Sequence, residues 1–340
     1  LLVEGARTNL VVQSEVFNTS WTLGNASISS NAATAPDGTL TADALVENDA
    51  VSTHNVYQSV AVTQGQVYTW SVFGKKVDNR DWLIINADDF GGVFTSFDLA
   101  NGMLGTVGAG VTARIIPYDN GWYRCCATKT KNAAGDTLLQ IFIADADDTI
   151  SYDGDNASSI YLWGGEIELG SFPSSYVKTV AASVERTADV AYTLTGAWFN
   201  EPEGTVVVRF RTGLDLVSAY VLSLNDGTAN EEIRLLVDAS GNLDLDVIDG
   251  GVAQAALTAG AATADTHYQA ALGWKSGKFF LSVNGGALQT DSAGTVPTPT
   301  RLDLGSSQVA AEYLHGHVEE VRLWNRLLHE EQIRLLSNLQ

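Results

Sequence analysis

The residues whose spacing chemistry can use fall into a few sets. Glu166 and Glu168 stand at i and i+2 in a strand-like run, on one face and about 7 Å apart. Glycoside hydrolysis uses two carboxyls about 5–9.5 Å apart, one protonating the leaving oxygen and one acting as base or nucleophile. Asp244 and Asp246 repeat the spacing. Such pairs are otherwise ordinary surface acids on a solvated strand edge, and spacing by itself makes no active site. His315 and His317 also alternate and offer imidazole nitrogens to a metal, but the third and fourth ligands that zinc takes are missing. His54, His267 and His329 are scattered, and no Gly-x-Ser-x-Gly elbow accompanies them.

Asp145, Asp147, Asp148, Asp153, Asp155 and Asn156 crowd one connection between strands. Hard cations seek such oxygens, so a structural calcium is the candidate here; no other cofactor is required. Asp and Asn also favour turns for their own hydrogen bonding, and one loop rarely completes the roughly 6–8 oxygens calcium takes. Asp226 or Asp238 offers a less supported alternative. Sugar binding calls for an aromatic face beside hydrogen-bonding side chains. The eight Trp are Trp21, Trp70, Trp82, Trp122, Trp163, Trp198, Trp274 and Trp324, and most fall in alternating runs that read as core. Trp82, after Asn79-Arg80-Asp81, is the exposed candidate, with Asp88, Asp89 and Phe90 as its partners. Further on, Asn225, Asp226 and Asn230 lie at a strand end, where sandwich loops gather.

The elements that must position these residues are strands almost throughout. Val56, Gln58, Val60 and Val62 alternate with Tyr57, Ser59 and Ala61, and Val67-Tyr68-Thr69-Trp70-Ser71-Val72-Phe73 is rich in β-branched and aromatic residues. Strands are expected at 81–87, 93–99, 122–129, 137–143 and 160–169, separated by turns such as Pro36-Asp37-Gly38, Asn101-Gly102 and Asp153-Gly154. Near 179–192 the alternation stops, and a second series begins at 205–211. There, runs 232–237 and 243–248 form a hairpin whose apolar set is Ile233, Leu235, Val237, Leu243, Leu245 and Val247. Another hairpin joins 268–274 to 279–283. The one helix, over 328–339, carries an apolar stripe, early acids and the later Arg334, and caps the second sandwich.

The chain has 340 residues, two domains' worth, with 19 Lys and Arg against 40 Asp and Glu and a net charge of -21. Phosphate-backbone binding rests on Lys and Arg, so nucleic acid is excluded as a main partner. No apolar run reaches the roughly 18 residues a membrane-spanning helix needs, so no membrane insertion is expected. Charged residues are 17% against 45% apolar, so the acidity overlies a true core. Cys125 and Cys126 are adjacent and point to opposite faces of a strand, which leaves them as free thiols. The opening Leu1-Leu2-Val3-Glu4-Gly5 has neither a Met nor a signal peptide's pattern, from which we expect a processed chain or part of something longer.

Several ordered motifs carry a resemblance. Glu4-Gly5-Ala6-Arg7-Thr8-Asn9-Leu10, Ser14-Glu15-Val16-Phe17, Trp21, Ala35-Pro36-Asp37-Gly38-Thr39 and Gly121-Trp122-Tyr123-Arg124 form one set. It continues through 160–168, Gly170-Ser171-Phe172-Pro173-Ser174-Ser175-Tyr176 and Arg186-Thr187-Ala188-Asp189. The set resembles the carbohydrate-binding-module-like jelly rolls of bacteriophage head-spike and tail-fibre proteins, over residues 1–190. Residues 191–340 resemble a concanavalin A-like, laminin-G-type lectin sandwich, on Gly204-Thr205-Val206-Val207-Val208, the 278–284 strand and the closing Gly316-His317-Val318-Glu319-Glu320-Val321-Arg322-Leu323-Trp324-Asn325-Arg326.

These resemblances imply an all-β chain of two different antiparallel sandwiches, a jelly roll and then a concanavalin A-like domain with a short C-terminal helix. They imply a non-catalytic virion-surface adhesin that binds host-surface polysaccharide, sits beside other virion proteins and forms a homo-oligomer, a trimer as in phage fibres and spikes. Catalytic sandwiches of the concanavalin A-like kind carry a Glu-x-Asp-x-x-Glu or Glu-x-Asp-x-Glu cluster on one strand, and none occurs here. Two other readings stay open: a capsid decoration protein without a ligand, and a glycan-degrading enzyme or its accessory module.

Overall fold

The computed structural model describes residues 1–88, 93–214, 216, 218–307 and 312–339. It divides into two compact units: Arg7–Arg186, and Thr187–Gln340 together with Leu1–Ala6. The expected division at 190/191 therefore differs at both ends. Leu2 and Val3 form a strand that pairs with His317 and Gly316, so the start of the chain completes a sheet of the C-terminal unit.

In the unit Arg7–Arg186, two six-stranded antiparallel sheets face each other. One runs Met103–Leu104, Phe94–Asp98, Trp82–Asp88, Thr137–Ala144, His54–Val60, Thr22–Gly24. The other runs Thr112–Tyr118, Trp122–Thr130, Val67–Lys76, Ser159–Leu169, Ala42–Glu47, Ala26–Ala33. Trp70, Val72, Leu83, Ile85, Ile141 and Ile167 meet between them as one buried core. Burial of such aliphatic and aromatic area supplies the main driving force.

Val67–Lys76 and Ser159–Leu169 are buried along nearly their whole length. A strand normally shows one wet face. Here the outer face is covered by the following segment: Tyr176 packs on Phe73 and Trp163, and Ser174 bonds to Glu168. A bulge between Trp163 and Glu166 shifts the alternation by one residue. Gly164 takes the left-handed φ of 62° there, and a Cβ on it would meet Phe73 and Tyr176 at 3.0 and 3.1 Å. The bulge turns Ile167 into the core and Glu166 and Glu168 away from it.

The C-terminal unit is again a pair of six-stranded antiparallel sheets. One runs Leu2–Val3, Gly316–Trp324, Glu203–Arg211, His267–Lys275, Lys278–Val283, Gln289–Asp291. The other runs Tyr192–Leu194, Arg301–Leu304, Ala219–Asn225, Glu232–Val237, Asn242–Asp249, Val252–Ala261. Ile233, Leu235, Val237, Leu243, Leu245 and Val247 all lie in its core, on the face the alternation assigned to them.

The helix is Glu330–Leu336, shorter than expected. His329 caps it through a reciprocal bond with Gln332, and the Ser337 hydroxyl turns back to the Arg334 carbonyl at the far end. Ile333 and Leu328 pack on Val207, Ala271 and Phe280. Cys125 and Cys126 are both free and buried, Cys125 in the sandwich core. Among the described residues no helix is long and apolar enough to cross a membrane.

Candidate functional site

Glu166 and Glu168, read as surface acids on a strand edge, are sealed from solvent. Arg124 donates from Nη2 to Glu166 Oε2 at 2.7 Å and to Ser71 Oγ at 3.1 Å. Glu168 accepts from the backbone N–H and the hydroxyl of Ser174, both at 2.7 Å. Burial pushes the Glu166 carboxyl up to about 8 against the pull of Arg124, with Glu168 adding to the rise. The group closes the outer face of the sheet, and the bulge and the covering segment that bury it are invisible to alternation.

Trp82 is half-buried against Ile84, Phe142 and Ala144 on the outer face of the other sheet. Its ring and the Asp147 carboxylate both press on Gly105, where a Cβ would collide with each. Asp88 ends the strand Trp82–Asp88, and its side chain, like Asp89 and Phe90, lies outside the described residues.

The acidic loop does not gather its oxygens. Asp147 accepts the N–H and hydroxyl of Thr106 at 2.8 and 3.1 Å. Asp155 takes the N–H groups of Ala157 and Ser158 and the Ser158 hydroxyl, and these bonds hold its carboxyl well below the usual range. Asp148 and Asn156 occupy left-handed turn positions, with φ of 55° and 58°. Asp145 and Asp153 are exposed. Among the described residues no group of three His, Cys, Asp or Glu side chains is placed to hold a metal. His315 and His317 also part company: His315 has φ 47° just before the strand and accepts from Gly5 N, while His317 is exposed on it.

In the C-terminal unit, Asn225 is buried rather than presented at a loop. Its amide donates to Asp303 Oδ2 at 2.7 Å and to Ser223 Oγ at 2.8 Å. Asp226 closes a turn onto Thr228, and Asn230 is exposed beside it. Through its bonds to Asp303 and Ser223, Asn225 braces a row that crosses the outer face of the second sheet. By strand register, Tyr192 faces Asp303, Asp303 faces Ser223, Ser223 faces Arg234, and Arg234 faces Asp246.

Hydrogen bonds tie that row together. Arg301 lies over the Tyr192 ring at 4.0 Å and donates through Nε to Asp303 Oδ1 at 3.0 Å. Ser223 donates to Glu232 Oε1 at 2.6 Å. Arg234 donates through Nε and Nη2 to Asp246 Oδ2 at 3.0 and 2.9 Å, and through Nη1 to the Tyr220 hydroxyl at 2.9 Å. Burial raises the Glu232 carboxyl, opposed by the Ser223 hydroxyl and Arg234. Glu232, Ser223 and Asn225 are sealed, Arg234 and Asp246 are partly exposed, and Tyr192 is 55% exposed. What the row leaves open to a ligand is therefore the Tyr192 ring and the Arg234–Asp246 pair, above a sealed layer of bonded polar groups.

Residues 170–334 match the family model of the concanavalin A-like lectin/glucanases superfamily, laminin-G type. These residues carry a lectin-type domain. No curated protein matches the chain. Among solved structures, the chain is similar to the carbohydrate-binding module of a Ruminococcus gnavus sialidase bound to α2,3-sialyllactose. The identity is 18% and the TM-score 0.36, over 41% of this chain and 84% of that one. It is similar to domains LG4-5 of the mouse laminin α1 chain, at 11% identity and TM-score 0.30, over 83% of this chain and 90% of that one. It is also similar to the enzymatically active domain of bacteriophage CBA120 tailspike protein 2, at 15% identity and TM-score 0.34, over 44% of this chain and 26% of that one.

Within the lectin-type domain, sequence patterning pointed to the acid pair Asp244 and Asp246 and missed Tyr192, Arg301 and Arg234. Tyr192 sat in a stretch without alternation. The signal that was present is the Glu232–Arg234 spacing opposite Asp246 across a recognisable hairpin.

Proposed function

We propose that this protein is a non-catalytic adhesin on the surface of a phage particle, a head spike or tail fibre, that holds polysaccharide of the host cell surface. The binding half of the proposal rests on one observation: the tied row from Tyr192 to Asp246 across the outer face of a lectin-type sheet. The members of the row that reach solvent, Tyr192, Arg234 and Asp246, are held by the bonds beneath them, which lowers the ordering cost on binding. The phage half rests on the motif set of residues 1–190. The non-catalytic half rests on the acids themselves: Asp246 is engaged by Arg234, and Glu232 by Ser223 and Arg234. A general acid would have to be free to give its proton to a leaving oxygen. Weak single sites gain by repetition, so assembly as a homo-oligomer, a trimer, with other virion proteins would raise avidity.

The test is saturable binding of the native oligomer to a panel of purified bacterial surface polysaccharides, with and without calcium, followed by chromatography for released fragments. Binding without fragments is the expected result, and Tyr192→Ala weakens it roughly five- to tenfold. Fragments would make the protein an enzyme; absence of binding throughout would make it a capsid decoration.

A further inference from the structure

The lectin-type unit has a second surface that the row above does not use. Two open hollows of about 310 and 350 Å³ lie beside the C-terminal helix, on the other sheet of the sandwich, and share Leu328. Each is at the small end of ligand sites, which run from roughly 300 to 1,000 Å³. Lys278 and Phe280 line one; Trp324, Arg326 and Gln332 line the other.

The charges single this ledge out. Among the described residues of Thr187–Gln340, every Lys or Arg except Lys278 and Arg326 stands within ion-pair distance of a carboxylate. In a chain of net charge -21 carboxylates are in excess, yet the two cations left without one line the two adjoining hollows. Trp324 is half-buried, so its ring is a fixed wall. Gln332 spends its amide oxygen on the His329 N–H, which leaves its amide N–H groups for a ligand.

We propose that this ledge binds a carboxylate-bearing oligosaccharide, one sugar unit in each hollow, with Arg326 and Lys278 taking the carboxylates and Trp324 the apolar face of a ring. A guanidinium fork matches a planar carboxylate through two parallel bonds, and Lys278 adds a point charge. The Leu328 floor and the aromatic wall suit a ring with one apolar face, which an acidic peptide does not offer. Glu330 also lines the Lys278 hollow and sets an opposing charge there, so it limits affinity. The proposal rests on the glycan-binding reading but on different residues, on the opposite sheet from Tyr192.

Calorimetry of the full chain with trigalacturonate, its methyl ester, an N-acetylneuraminate trimer and oligoglutamate tests it. The acid sugars, uronate or nonulosonate, bind and weaken as salt rises; the ester binds at least about tenfold more weakly, and oligoglutamate does not compete. Arg326→Ala and Lys278→Ala each cost roughly tenfold, Arg326→Lys falls between, and Glu330→Gln tightens binding. Tyr192→Ala leaves acid-sugar binding unchanged. No binding of either acid sugar, equal binding of the ester or of oligoglutamate, or indifference to both Arg326→Ala and Lys278→Ala overturns the proposal. If polysaccharide binding sensitive to Tyr192→Ala survives such a result, this site alone falls; if nothing binds, both readings fall.

Discussion

Arg124 Nη2 lies 2.7 Å from Glu166 Oε2, and both side chains are closed off from solvent. With Glu168 beside them and Arg7 Nε 3.5 Å from Glu168, two cations face two buried acids, and Ser71 and Ser174 add bonds to Arg124 and Glu168. Removing Arg124 strips Glu166 and Ser71 of a buried donor and leaves Glu168 with Arg7 alone, which costs far more than a surface pair is worth. Arg124→Ala is expected to destabilise the unit Arg7–Arg186 by about 3–5 kcal/mol. Urea unfolding of purified variants reads this directly, and a loss under about 1 kcal/mol would mean the group is wet.

The same group sets a pH dependence. Glu166 is pushed up to about 8, by burial first, against an ordinary value of 4.5. Between those values the folded state holds a proton that the unfolded chain has released, so stability falls as pH rises across that window. Below it both states are protonated and above it neither is, so the contribution is level at each end. Stability measured from about pH 4 to about pH 9 should decline, and Glu166→Gln should flatten that decline. An identical slope in the variant would assign the dependence elsewhere.

Asn225 and Asn230 stand five positions apart in sequence, yet they should behave differently. Asn225→Ala strips a buried amide from Asp303 Oδ2 and Ser223 Oγ and is expected to cost about 1–3 kcal/mol of stability. Asn230→Ala, at an exposed turn, should stay within about 0.5 kcal/mol of the parent. Thermal unfolding of the two variants side by side distinguishes them.

Calcium should leave thermal stability unchanged, because Asp147 and Asp155 already spend their oxygens on Thr106, Ala157 and Ser158. An ion bound only to the folded state at a hundredfold excess over its Kd would add about 2.7 kcal/mol. Melting curves with calcium and with a chelator check this, and a rise in Tm with calcium would restore the loop as a cation site.

Strands were legible wherever one face is wet and the other dry. The hairpin of Glu232–Val237 and Asn242–Asp249 placed all six of its apolar residues in the core, as alternation required. Glu166 and Glu168 misled because a bulge resets the phase and residues 170–180 bury the far face; both are long-range effects that no window of a few residues contains. Asn225 misled for a related reason. A polar residue at a strand end reads as a loop ligand, whereas Asp303, 78 positions away, claims its amide. Tyr192 and Arg301 meet only because their strands pair, and neither residue is unusual in its own stretch.

The pairing of Leu2 with His317 has a mechanical consequence. The Leu1 amino group bonds to the Val318 carbonyl, 317 positions along the chain, while Arg7 pairs with Arg186 where the chain enters and leaves the other unit. In chain order, the Arg7–Arg186 unit is thus inserted between the first strand and the rest of the C-terminal sandwich. Prising Leu1 from the strand Gly316–Trp324 therefore breaks a ribbon whose register is set by Leu2 on His317 and Val3 on Gly316.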